Sequence, residues 1–72
     1  MDVLAVRLRE LRERHTRPVK SMAVTSELMG LSKNALANYE RGKRTPNAEA
    51  IRLIADYYDV SADYILGRTD EK

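Results

Sequence analysis

The stretch from Leu28 to Pro46, LMGLSKNALANYERGKRTP, constrains this chain more than any other, because it frames a short helix on both sides. Gly30 gives a tight interhelical turn its backbone freedom, and Ser32 is a good N-cap whose hydroxyl can accept from the amides of Asn34 or Ala35. The pattern predicts a helix from Lys33 to Arg41. Gly42 suits the left-handed position that closes a helix, and Pro46 blocks an easy restart before Asn47.

Within that helix Leu36 and Tyr39 stand three apart and can face a core, which leaves Lys33, Asn34, Ala37, Asn38 and Arg41 on the remaining surface. Asparagine is a poor helix former, so two of them in one short helix have a cost in propensity that function would explain. A carboxamide carries a donor and an acceptor in one plane and matches N6 and N7 of adenine in the major groove, while Lys reaches the acceptors of guanine. A plain solvated face would account for the same two asparagines. Tyr39 reads as a packed aromatic rather than a base-stacking one, because its i−3 neighbour is Leu36.

Charge separates these readings. The net charge is only +2, but it is unevenly spread. Residues 7 to 20 hold Arg7, Arg9, Arg12, Arg14, Arg17 and Lys20 against Glu10 and Glu13, and residues 32 to 47 hold Lys33, Arg41, Lys43 and Arg44 against Glu40. Residues 48 to 72 reverse the balance, with three basic side chains against six acidic ones. A domain with a basic front and an acidic back would dock on a polyanion one way round and gain affinity by releasing condensed counterions. Solubility alone explains charges but not their segregation.

At 72 residues the chain suits one small domain, near the size where a core is just sufficient. It has no cysteine, hence no disulfide, thiolate zinc site or thiol nucleophile, which is compatible with a cytosolic home. No apolar run approaches a membrane span, and the opening residues do not read as a signal peptide, so the mature chain is expected to be the whole chain. No enzyme is expected: the single histidine, His15, stands alone, no glycine-rich phosphate loop occurs, and the later carboxylates are scattered singly, giving no metal site and no cofactor.

The remaining sequence reads as helical scaffold without strands. Leu4, Leu8 and Leu11 recur at helical spacing in a first helix over 2–14, with Asp2 suited to its positive end. A second helix, over 18–28, is expected to start near Pro18 and to share Val19, Met22, Ala23, Ser26 and Met29 on one face. Asn47 caps a fourth over 48–58, whose stripe is Ala50, Ile51, Ile54, Ala55 and Tyr58. Ser61 caps a fifth over 62–66, and Gly67 closes it.

Taken together, the turn Met29-Gly30-Leu31-Ser32, the helix Lys33 to Glu40, the ending Tyr39-Glu40-Arg41-Gly42 and the basic loop Lys43-Arg44-Thr45-Pro46 resemble the Cro/cI-type (XRE-like) helix-turn-helix family of phage repressors and bacterial transcriptional regulators. Asn47 to Gly67, with its ending Asp63-Tyr64-Ile65-Leu66-Gly67, is similar to the family's last two helices, so the resemblance covers roughly residues 4 to 68. It implies an all-α, compact five-helix, lambda-repressor-like domain spanning residues 1–72, and a bacterial cytoplasmic or nucleoid setting, with a phage origin equally compatible.

The resemblance also assigns roles. Lys33, Asn34 and Asn38 would read base edges, with Ala37 against a thymine methyl. Ser32, Arg41, Lys43, Arg44 and the backbone near Thr45 would hold phosphates, joined by Lys20, Ser21 and Met22 at the start of the second helix. Glu40 would pair with Arg12 and fix the recognition helix to the scaffold. The implied partner is a double-stranded, two-fold DNA operator bound by a homodimer, with exposed parts of Tyr57, Tyr64, Ile65 or Leu66 as the candidate dimer contacts. RNA polymerase or an antirepressor are further partners compatible with such a regulator. The chain reads equally as the N-terminal portion of a longer repressor.

Three departures stand out: Met22 replaces the usual glutamine, Thr25 and Ser26 replace a core leucine and an alanine, and the segment between Arg12 and Met22 is about three residues longer, giving a cationic loop at His15-Thr16-Arg17-Pro18. The competing class is a protein-binding adaptor or antitoxin on the same fold, with weak DNA binding and an acidic contact face at Asp56, Asp59 and Asp63.

Overall fold

The computed structural model describes residues 3–14 and 21–72. They form five helices: α1 (Val3–Arg14), α2 (Met22–Met29), α3 (Ala35–Glu40), α4 (Ala48–Tyr58) and α5 (Ala62–Ile65). No strand occurs among the described residues. The readings placed on Asp2, Pro18, Val19, Lys20 and the loop at 15–18 lie outside the described residues.

Two helix starts differ from the sequence reading. The second helix does not run unbroken over 18–28: it begins at Met22, because Ser21 is extended (φ −67°, ψ 159°) and its hydroxyl accepts the Val24 N–H at 3.1 Å. α3 begins at Ala35 and not at Lys33. Ser32 contributes its carbonyl, which accepts the Ala35 N–H at 3.1 Å, and Lys33 and Asn34 complete a turn before the helix.

The ends of α2, α3, α4 and α5 share one hydrogen-bond pattern. After α3 the Gly42 N–H reaches the Tyr39 carbonyl at 3.2 Å and the Lys43 N–H reaches the Asn38 carbonyl at 2.9 Å, with Gly42 at φ 74°. This double closure needs one residue in the left-handed region, and α4 alone uses a residue other than glycine there, Asp59 at φ 56°. Short helices are thereby cut cleanly and the chain is redirected within two residues.

Leu8, Leu36, Ile54 and Ile65 are fully buried at the centre, surrounded by Leu4, Leu11, Met29, Ala55, Tyr58 and Tyr64. Each of those four side chains contributes about 1.5–3 kcal/mol by leaving water. On α2 the buried face is Thr25, Ser26 and Met29, while Met22 and Ala23 are only partly covered. Thr25 enters the core because its hydroxyl donates to the Ser21 carbonyl at 3.0 Å, which satisfies the group inside its own helix.

After α5 the chain turns back over α1. Arg7 lies over the Tyr64 ring, 4.3 Å from its centre, and donates to the carbonyls of Tyr64 and Thr69 and to the Asp70 carboxylate. The Ser61 N–H closes the loop on the Lys72 carbonyl at 3.0 Å. Arg7, counted above with the basic front, is therefore a scaffold residue.

Asp59 carries two local costs: a side chain in the left-handed region and an anion at the negative end of α4. Asp59→Gly is expected to raise stability by about 0.5–1 kcal/mol, read as an upward shift of the urea midpoint at unchanged slope. An unchanged or lower midpoint would show that neither cost is felt.

Candidate nucleic-acid interface

α2 and α3 form the two arms of a helix-turn-helix, joined through Gly30 at φ 93°. The Gly30 N–H donates to the Glu27 carbonyl and the Leu31 N–H to the Ser26 carbonyl at 2.9 Å, so the turn is built from the last carbonyls of α2. Six residues are too few for a helix to persist alone in water, and α3 depends on what it touches.

Its inner face is Ala35 and Leu36, both buried, with Tyr39 partly buried against the core. Its C-terminal end is tied to α1: Arg12 Nε donates to Glu40 Oε2 at 2.8 Å and Arg12 Nη2 to Glu40 Oε1 at 3.0 Å. The Glu40 side chain is 7% exposed and that of Arg12 25%, so the fork is largely out of water. The hydrogen bonds to Glu40 raise the Arg12 guanidinium above its ordinary value. Next to it burial pushes the Tyr58 phenol well above its usual range, so this corner adds no further charge.

The N-terminal end of α3 is held differently. Asn34 is the cap residue, yet it is helical in φ and ψ (−98°, −1°) and its side chain makes no capping hydrogen bond. The Leu36 N–H instead donates to the hydroxyl of Ser26, a residue of α2 with no exposed surface, at 3.1 Å. Sequence reasoning noted Ser26 as a departure in packing but missed this bond. A buried serine where close helix approach asks only for a small side chain was the available signal.

The outward residues fall in two groups. Lys33 and Asn34 are exposed on the turn before α3, and Ala37 and Asn38 are partly exposed along it. Arg41, Lys43, Arg44 and Thr45 are exposed in the loop that follows, which folds back because the Asn38 carbonyl accepts from both Lys43 (2.9 Å) and Arg44 (3.4 Å). Ser32 is exposed in the turn, Ser21 is exposed at the start of α2 beside the partly buried Met22, and Lys20 lies outside the described residues.

Ion pairing sorts the cations. Arg7 is taken by Asp70, Arg12 by Glu40, Arg9 by Glu13 at 3.5 Å, and Arg52 by Glu49 and Asp56. None of the ion pairs among the described residues involves Lys33, Arg41, Lys43 or Arg44. The candidate dimer contacts divide similarly: Tyr64 and Ile65 are core residues at 7% and 0% exposure, which leaves the exposed Leu66 and the partly buried Tyr57 at the surface. Among the described residues no cluster of His, Cys, Asp or Glu side chains could hold a metal ion, and no helix is long and apolar enough to cross a membrane.

A glycine-cornered pair of helices, the second pinned against a small five-helix core, defines the helix-turn-helix class of domain. A helix-turn-helix family model matches residues 8–65. The chain is 39% identical over 66 residues to the HTH-type transcriptional regulator AnsR of Bacillus subtilis (strain 168), covering 92% of this chain and 54% of that protein. It is 38% identical over 65 residues to the uncharacterized HTH-type transcriptional regulator YobD of the same organism (90% and 55%), and 34% identical over 67 residues to ImmR, another HTH-type transcriptional regulator there (93% and 50%). The chain spans about half the length of these relatives. It belongs to the Cro/cI-type (XRE-like) helix-turn-helix family.

Removing one partner of the Arg12–Glu40 fork strands a largely buried charge. Arg12→Ala and Glu40→Ala are each expected to cost about 2–4 kcal/mol in urea denaturation, and the double variant clearly less than the sum. Strict additivity would mean that the two groups do not support each other.

Proposed function

We propose that this chain is a sequence-specific double-stranded DNA-binding transcriptional regulator that enters the major groove with α3, as a homodimer on a two-fold operator, in a bacterial cytoplasm. The observation that carries the proposal is the coincidence of surfaces: Lys33, Arg41, Lys43 and Arg44, exposed and in none of the ion pairs among the described residues, stand at the two ends of the helix that carries the outward asparagines and is itself fixed at both ends. Transcriptional-regulator relatives support the same reading.

Asn34 and Asn38 offer planar donor–acceptor pairs to adenine, Lys33 reaches guanine O6 or N7, and Ala37 meets a thymine methyl. Arg41, Lys43, Arg44 and Ser32 hold phosphates on one side of that helix, and Ser21, Met22 and the first amides of α2 do so on the other. Phosphate contacts set affinity and register, whereas base contacts set sequence. Two copies related by a two-fold axis would place their α3 helices about one helical turn apart, with Tyr57 and Leu66 as surface contacts between them. An operator overlapping a promoter then excludes polymerase, which makes repression the simplest outcome.

Selection of bound duplexes from a random pool tests the reading. A two-fold motif is expected, bound far more tightly than its scrambled version, with affinity falling steeply as salt rises. Lys43→Ala or Arg44→Ala should weaken both duplexes and reduce the salt slope by about 1, while Asn38→Ala should cost roughly 1–3 kcal/mol on the selected duplex alone. No enriched motif, with equal weak binding to every duplex, would turn the assignment toward a protein-binding adaptor.

A further inference from the structure

We infer that Ser26 is a positioning residue for sequence readout: by capping α3 from the neighbouring helix, it releases the Asn34 carboxamide from capping so that it can read a base. The inference rests on the base-reading role proposed above and goes beyond it by adding a residue that touches no DNA. An asparagine at a helix N-cap ordinarily takes extended φ and ψ and turns its side-chain oxygen onto the amide two or three residues on. Asn47 does so at the start of α4, with ψ 177° and its oxygen 2.8 Å from the Ala50 N–H. Asn34 does not.

At Asn34 ψ is −1°, the side chain makes no capping bond, and the residue is exposed. Of the two amides within reach of a cap at Asn34, those of Leu36 and Ala37, the Leu36 N–H already points at the Ser26 hydroxyl 3.1 Å away in a fully buried position. The Ser26 carbonyl also holds the Leu31 N–H at 2.9 Å, so one residue fixes the turn and the first turn of the helix that follows. Without the hydroxyl, the Leu36 N–H becomes a buried donor lacking an acceptor, a cost that Asn34 can relieve by swinging to an extended ψ and capping it. That swing withdraws the carboxamide from the groove and moves Lys33 with it.

The test is a double-mutant cycle on the full chain, using the selected operator duplex and its scrambled version. In the parent protein Asn34→Ala is expected to weaken operator binding about tenfold. Ser26→Ala is expected to weaken operator binding severalfold, leave the scrambled duplex unchanged, and speed hydrogen exchange at the Leu36 amide. In the Ser26→Ala background Asn34→Ala should then cost less than about twofold. Ser26→Cys, which keeps a side chain of similar size with a poor acceptor, carries the same comparison if Ser26→Ala does not fold.

An equal Asn34→Ala penalty in both backgrounds would overturn the inference, because a merely structural Ser26 leaves Asn34 reading as before. So would a parent that prefers the operator yet is indifferent to Asn34→Ala, and that result leaves the regulator assignment standing. A parent that does not distinguish the two duplexes refutes the base-reading role itself, and the inference with it.

Discussion

The bidentate contact between Arg12 and Glu40 is the constraint on which the arrangement depends. α3 has six residues, fewer than two turns, and cannot be stable by propensity. Leu36 fixes its depth in the core, but a single buried leucine leaves a short helix free to roll and tilt. A guanidinium that donates twice to one carboxylate, at 2.8 and 3.0 Å, restricts both motions, since two bonds fix direction as well as distance and join α3 to α1. Exchange of that fork for an apolar contact could match its free energy and would lose its direction.

The opposite end of α3 is fixed by a different device, and the difference matters. An ion pair at the N-terminal end would bring charge into the neighbourhood of the outward asparagines. A serine hydroxyl supplies one acceptor, with no charge and little volume, in a place where α2 and α3 approach closely. The helix is thus anchored to α1 through charge and to α2 through a neutral hydrogen bond, and the turn at Gly30 needs only to connect them.

Much of this was legible in the sequence, for identifiable reasons. The five helices and their order follow from apolar spacing and from punctuation by Gly30, Gly42, Pro46, Asn47, Ser61 and Gly67, whose effects are local. The start of α4 coincides with its reading because Asn47 caps with its own side chain. The start of α3 was placed two residues early because its cap comes from a residue in another helix, and nothing in the local pattern announces that. The start of the second helix differs for a related reason: proline compatibility with a first turn is permissive, whereas Ser21 caps α2 with its own hydroxyl. The burial of Tyr64 and Ile65 could not be separated from exposure in so short an apolar run, because both faces of a four-residue helix are nearly the whole helix.

Counted along the sequence, residues 7 to 20 carry net positive charge, and of their arginines only Arg12 is expected to pair within the fold. Pairing changes what that charge can do. Arg7 and Arg12 are scaffold groups with oxygen partners, and a paired guanidinium could reach a phosphate only by abandoning bonds that are partly shielded from water. Arg14 and Lys72 are also exposed outside these ion pairs, but Lys33, Arg41, Lys43 and Arg44 form the group that flanks α3 at its two ends. On the other side Arg52 sits between Glu49 and Asp56 in exposed pairs that are worth little to stability but leave the acidic face with no strong positive point. The polarity of the domain therefore comes less from where basic residues occur than from which of them the fold consumes. A polyanion approaching the molecule meets free positive charge at the helix whose position the two anchors define.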